Sequence, residues 1–229
     1  RLLSVIASVG TVLLVLAWGW RCCGPKVGLL AGTLSALSPM MIYYGREAKG
    51  YAFVTFFASL ALYLLAFRLG KRTTRMRAIA WWGLYIAAET LALGAHYYAI
   101  LMIAAQGAWL VVDGLLQRPG WKVWARRIWP WIVAQLIVGV VIAPWIWLTW
   151  AEAMHGARHV PLDRQAWPAP AYLKHVFAHF AAGPHAPSWA DVAATSVLLA
   201  SAVWAIVKDR QYAITWAVLT VVPIGLGYI

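Results

Sequence analysis

The sequence has 229 residues, of which 63% are hydrophobic and only 11% are charged. That balance excludes a soluble globular domain of this length and matches a helical protein that crosses a membrane several times. The formal net charge of +12 does not point to nucleic acid here. Most of the basic residues fall in short loops between apolar runs, where they set topology and meet anionic lipid.

Eight apolar runs predict spans, in chain order 2–20, 27–44, 51–67, 79–94, 97–112, 128–150, 191–207 and 212–229. Several lie close to the lower limit of about 17 residues for a helical crossing. Barrel strands would be nearer ten residues with polar alternation, which these runs lack. The fold class is therefore all-α: a polytopic helical membrane protein of about eight transmembrane helices. Many of the 16 tryptophans stand near the ends of the runs, where amphipathic rings favour the membrane boundary. Pro39 is expected to bend the second span. The adjacent pair Cys22-Cys23 has no other thiol to bridge, so no disulfide framework is expected. The pair reads as two small apolar residues near a membrane face, with lipid acylation as the alternative.

Of the 19 Lys and Arg, 13 fall in the loops 21–26, 68–78, 113–127 and 208–211. The positive-inside rule makes those loops cytoplasmic. The turns 45–50 and 95–96 and the stretch 151–190 then lie on the extracytoplasmic side. The chain reads as one transmembrane domain over 1–229, with 151–190 as an outer loop within it. It opens on Arg1, has its first methionine at Met40 and stops inside an apolar run, so it is expected to be a fragment of a longer protein.

The outer turn "IYYGREAKGYAF", residues 42–53, places charges between two apolar runs. Taken as a helix, it puts Arg46 and Lys49 on one face, and Tyr43, Glu47 and Tyr51 on a neighbouring one. Tyr44 stands next to Tyr43 in the sequence, and Gly45 and Gly50 allow close backbone approach. A cation pair, a carboxylate and phenolic hydroxyls then gather at headgroup depth. Arg grips phosphate oxygens with two prongs, and Lys adds a point charge. At 4 Å each such contact contributes up to about 4 kcal/mol in a partly screened site. The plainer alternative is that the cations snorkel and Glu47 pairs with one of them.

A second stretch, "ETLALGAHYYAILMIAAQ", runs from 89 to 106. Glu89 sits inside a span, which costs about 2.5–3.5 kcal/mol and calls for a burial partner or a task. His96 follows two helical turns later on the same face. His96, Tyr97 and Tyr98 make a very short outer turn, and a histidine there can shuttle a proton or bond a phosphate. The alternative is a packed hairpin in which Glu89 bonds a neighbouring helix. The stretch 151–190 holds five of the six histidines. His155/His159 and His175/His179 are spaced to grip a metal if helical, with His175 and His179 as weak candidates. No Cys and no diagnostic carboxylate spacing accompanies them, which favours a solvated or sugar-facing loop with a short amphipathic segment. The chain shows no Gly-rich phosphate loop, serine elbow or zinc-protease helix. An enzyme built this way needs its donor in lipid-linked form.

The stretch "ALSPMMIYYGREAKGYAF" resembles a motif of membrane glycosyltransferases of the GT-C fold, the bacterial relatives of protein mannosyltransferases and of the lipid A aminoarabinose transferase. "GAHYYAILMIAAQGAWLV" is similar to the hairpin that follows in that family, with a polar residue before an aromatic and a Gln, here Gln106, further on. The resemblance covers residues 1–115. It implies transfer of a sugar from a polyprenyl-phosphate carrier to a glycan, lipid or protein acceptor, on the extracytoplasmic side of a bacterial-type plasma membrane. Arg46, Glu47 and Tyr51 match the motif directly, while Lys49 stands where the family usually has Arg.

The implied substrate-binding set is Tyr43, Tyr44, Arg46, Lys49, Tyr51 and Tyr97, with Glu47 and His96 as supporting catalytic residues and Glu89 and Gln106 as further candidates. The main acidic residue is expected on a first outer loop ahead of Arg1. No cofactor beyond the lipid-linked donor is implied, and a divalent metal stays open. Two other functions remain: a transporter or flippase of a lipid-linked or anionic substrate, and a non-catalytic membrane subunit. The sugar, the acceptor and the carrier length are not written in these motifs.

Overall fold

The computed structural model describes residues 1–47, 49–68, 74–117 and 120–157, together with the single positions 196 and 217. At Arg68 and over 151–157 the description is of the backbone. Among the described residues the order is α1 (Leu2–Cys23), α2 (Pro25–Ala36), α3 (Pro39–Arg46), α4 (Tyr51–Arg68), α5 (Arg75–Ala95), α6 (Ala99–Gln117) and α7 (Trp121–Ala157). No strand occurs among them.

Four of these helices are long and apolar enough to cross a membrane: α1, α5, α6 and the Trp121–Trp150 part of α7. The bent pair α2–α3 makes a fifth if it counts as one span, while the apolar part of α4, Tyr51–Phe67, is shorter. The first six expected runs are thus all helical, and 191–207 and 212–229 lie outside the described residues.

The helix breaks follow from local chemistry. Gly24, at φ 90°, takes a left-handed conformation that L side chains rarely adopt. It ends α1, and Pro25 opens α2, where its missing N–H costs nothing. Pro39 opens α3 after an extended Ser38 at ψ 122°, because a proline ring crowds a helical conformation in the residue before it. The axes of α2 and α3 meet at 53°, the bend expected of Pro39.

Residues 42–53 do not form one helix, which corrects the expectation from spacing. α3 stops at Arg46, Glu47 is extended at φ −77° and ψ 137°, and α4 begins only at Tyr51. Arg46 and Lys49 therefore do not share a helical face, and neither do Tyr43, Glu47 and Tyr51. The chain has to turn here to bring α4 against α5. Gly50 lies so close to the Ala95 carbonyl at the end of α5 that any Cβ would collide with it.

The core sits between α4, α5, α6 and α7, with Leu62, Leu65, Tyr85, Ala88, Trp109 and Ala134 among its buried members. Towards the turn end, Ala58, Ala92 and Ala99 pack together, small residues that let helix backbones approach closely. α1 packs on α2 and α4. Large apolar side chains such as Leu136, Val140 and Leu148 point outward, as lipid-facing positions do. The 37 residues of α7 extend about 55 Å at 1.5 Å per residue, well beyond a hydrocarbon core of about 30 Å. α7 also continues through 151–157, so the expected outer loop 151–190 begins as helix, with His155 on it. The rest of that stretch, including His159, His175, His179 and His185, lies outside the described residues.

Candidate functional site

The turn between α3 and α4 and the turn between α5 and α6 lie at the same end of the bundle. Tyr43 and Tyr44 belong to the last turn of α3, Tyr51 opens α4, and His96 caps α5. Their rings form a continuous chain. Centroid separations are 5.3 Å for Tyr43–Tyr44, 4.9 Å for Tyr44–Tyr51 and 5.2 Å for Tyr51–His96. The chain continues from His96 to Tyr97 at 4.6 Å and to Tyr98 at 5.0 Å, both stacked. These spacings are those of favourable ring contacts. At the other end of α4, the Arg21 guanidinium lies over the rings of Tyr63 and Phe67 at 5.4 and 5.2 Å. The basic last turn of α1, which carries Arg21, and the two turns are thus at opposite ends of α4.

His96 is held by its neighbours. Its backbone N–H donates to the Ala92 carbonyl at 3.0 Å, and its Nδ1 accepts the backbone N–H of Tyr98 at 3.2 Å. With Nδ1 occupied as an acceptor, Nε2 is the ring nitrogen left to carry a proton towards a ligand. The backbone at His96 is extended, at φ −164°. Helical periodicity therefore stops at Ala95, and the expected common face of Glu89 and His96 does not exist.

The charged residues of the first turn are engaged unequally. Lys49 Nζ donates to Glu47 Oε1 at 3.4 Å, and Oε2 lies at the same 3.4 Å without hydrogen-bonding geometry. The Lys49 side chain is 63% exposed and that of Glu47 23%. Glu47 beside it, through the hydrogen bond and its charge, holds the Lys49 ammonium above the ordinary lysine range, so Lys49 is a cation throughout neutral pH. Arg46 is exposed and takes part in no ion pair among the described residues.

Glu89 and Gln106, candidates from the sequence, belong to a different place. Both are fully buried, as is Tyr85. Gln135 Nε2 donates to the Tyr85 hydroxyl oxygen at 2.7 Å, Tyr85 O–H donates to Gln106 Oε1 at 2.5 Å, and Gln106 Nε2 donates to Glu89 Oε1 at 2.6 Å. Trp131 Nε1 also reaches Gln106 Oε1, at 3.4 Å. This string joins α5, α6 and α7, which is the packed-hairpin alternative for Glu89 realised across three helices. Sequence reasoning missed Tyr85, Trp131 and Gln135. The available signal was one helical turn between Tyr85 and Glu89, and an amide at 135 in the middle of an apolar run.

A groove of about 600 Å³ runs between α5, α6 and α7, lined by Leu93, Ile103, Val138, Ile142 and Trp147, with Gln135 as its one amide side chain. Leu93, Ile100 and Trp150 place one end of the groove next to the His96 turn. Neither Arg46 nor Lys49 lines it. Among the described residues no three His, Cys, Asp or Glu side chains come together as a metal site. The candidates His175 and His179 lie outside those residues.

Fold and site together define a polytopic helical membrane protein that presents cations, tyrosines and a histidine at one end of its bundle. Over residues 1–148 the chain matches the model of the dolichyl-phosphate-mannose-protein mannosyltransferase family, and it belongs to that family. Membership makes it a membrane glycosyltransferase of the GT-C type, and the matched stretch takes in α1 to α6 and most of α7. Comparison with curated proteins and with solved structures finds no match.

Proposed function

We propose that the protein transfers a sugar from a polyprenyl-phosphate carrier to an acceptor at the extracytoplasmic face of a bacterial-type plasma membrane. The observation that carries this reading is Arg46. It is an exposed guanidinium without an ion-pair partner among the described residues, on a turn shared with Lys49 and packed through Tyr51 against His96. The positive-inside count supports the sidedness, because Arg21 lies at the far end of α4.

The reaction is a displacement at the anomeric carbon. The bond between the sugar and the phosphate oxygen breaks, a glycosidic bond to the acceptor forms, and polyprenyl phosphate leaves. Arg46, with a fork that fits phosphate oxygens, anchors the donor. The cations at the turn offset charge as it develops on the departing phosphate. The exposed rings of Tyr43 and Tyr97, with Tyr44 and Tyr51 behind them, offer hydroxyls and faces to the sugar, and His96 Nε2 is placed to donate a hydrogen bond. The acceptor's proton goes to a carboxylate acting as general base. The apolar groove at the same end gives the donor's chain a seat, and the membrane confines donor and enzyme to one plane, which removes much of the encounter entropy.

The test uses the full-length protein in liposomes with a labelled polyprenyl-phosphate sugar. Arg46→Ala is expected to lower transfer by about 10²–10³-fold, the usual cost of removing one charge-stabilising donor. Unchanged transfer would defeat the site assignment. Label that crosses the bilayer without bond cleavage would establish a transporter instead.

A further inference from the structure

Three charges occupy positions 46 to 49 at the α3–α4 turn, and they are not equivalent. Arg46 is without an ion-pair partner among the described residues, whereas Lys49 is held by Glu47 at 3.4 Å. With Glu47 present the trio carries one net positive charge. The donor required by the proposed function is a phosphodiester with a single negative charge. The lipid that leaves is a phosphomonoester, with a charge of about −1.5 to −2 at pH 7. The charge that the site has to balance therefore grows as the bond to the sugar breaks.

We propose that Glu47 is the resident counter-ion of Lys49: it keeps the ammonium engaged while Arg46 alone holds the donor, and yields it to the second charge that develops on the departing phosphate. The inference rests on the function proposed above. The geometry of the pair suits an exchange. Its contacts are long, and the Lys49 side chain is 63% exposed, the kind of ion pair that contributes little and breaks readily. On either side of the pair, Glu47 N–H donates to the Tyr43 carbonyl at 3.2 Å, and Gly50 is seated on the Ala95 carbonyl. The exchange is a swing of the exposed Lys49 side chain. An attraction that strengthens only as charge appears on the leaving group lowers the barrier without tightening the ground state. Glu47 acts on the reaction through Lys49 and is a positioning residue.

The proposal is tested by equilibrium binding of two probes to the full-length protein in nanodiscs: a short-chain polyprenyl phosphate, and its methyl diester as a singly charged mimic of the donor. Glu47→Gln frees Lys49, and the monoester is expected to bind about three- to fivefold more tightly, in keeping with the strength of an exposed ion pair. The diester should gain less. Adding Lys49→Gln to Glu47→Gln should abolish the gain. Monoester binding in Glu47→Gln that is unchanged or weaker overturns the inference. So does a gain that survives the loss of Lys49. Arg46→Ala separates the two levels of the account: if it leaves the binding of both probes unchanged, the site assignment itself fails. If it weakens both while Glu47→Gln changes neither, only the counter-ion role fails. In transfer assays, a large fall in kcat for Glu47→Gln with unchanged probe binding would identify a general base and contradict the proposal.

Discussion

Two polar regions among the described residues solve opposite problems. The string Gln135–Tyr85–Gln106–Glu89 runs from the groove into the interior of the helices, with each donor aimed at the next acceptor. The turn from Arg46 to Gly50 is open, its cations exposed and its only described ion pair loose. In a hydrocarbon surround a polar side chain has to find its partner within the protein, and the buried string does so by joining three helices, with Glu89 Oε2 alone in it left without a hydrogen-bond partner. At the membrane boundary water and headgroups are partners enough, so a charge left without a protein partner there is available for a ligand. A charged residue in an apolar sequence therefore has a meaning set by its depth. Glu89 looks the more unusual residue in the sequence and is tied into the packing of three helices, while Arg46 looks like an ordinary loop cation and is the candidate ligand site.

The comparison can be broken or sharpened by substitution. Arg46→Ala should have the largest effect, a loss of about 2.7–4 kcal/mol of transition-state stabilisation, with thermal stability in detergent unchanged within about 0.5 kcal/mol. A variant that lowers activity only by unfolding the protein would erase the distinction between the regions. Glu89→Ala should do the reverse. It strands the buried Gln106 amide donor and should cost about 1–3 kcal/mol of stability, read as a lower unfolding temperature. Glu89→Gln keeps an acceptor at the same place and should recover most of that loss. Gly50→Ala pushes a Cβ into the Ala95 carbonyl. Overpacking of this kind costs about 1–3 kcal/mol, and because the turn carries Lys49, transfer should fall along with stability. The smallest change is expected for Tyr85→Phe, which removes the hydroxyl between Gln106 and Gln135. Hydrogen bonds between membrane helices average about 0.6 kcal/mol, so the unfolding temperature should move slightly and transfer not at all.

Much of the fold was legible in the sequence, because the first six apolar runs all became helices. The bend at Pro39 was legible too, since it follows from ring sterics acting within two residues. The turn at 47–50 was not. Spacing alone made 42–53 a helix, and what ends the helix is a tertiary demand, the approach of Gly50 to the end of α5, which no local pattern records. The site was half legible. The motif around Arg46 and the turn at His96 were both picked out, and the ring chain from Tyr44 through Tyr51 to His96 brings them together. Glu89 was flagged for its cost in a membrane, but its partners were not foreseen. Gln135 is 50 residues from Tyr85, and only the packing of α5 on α7 brings the two into contact.

The most direct test of where the lipid phosphate sits is photo-crosslinking of the full-length protein with a polyprenyl phosphate that bears a photoreactive group next to its phosphate, followed by mapping of the adducts. Adducts within residues 43–51 and 96–98, diminished in Arg46→Ala, are the predicted result. Adducts at the opposite end of the bundle, around Arg21, or an unchanged pattern in Arg46→Ala, would contradict it.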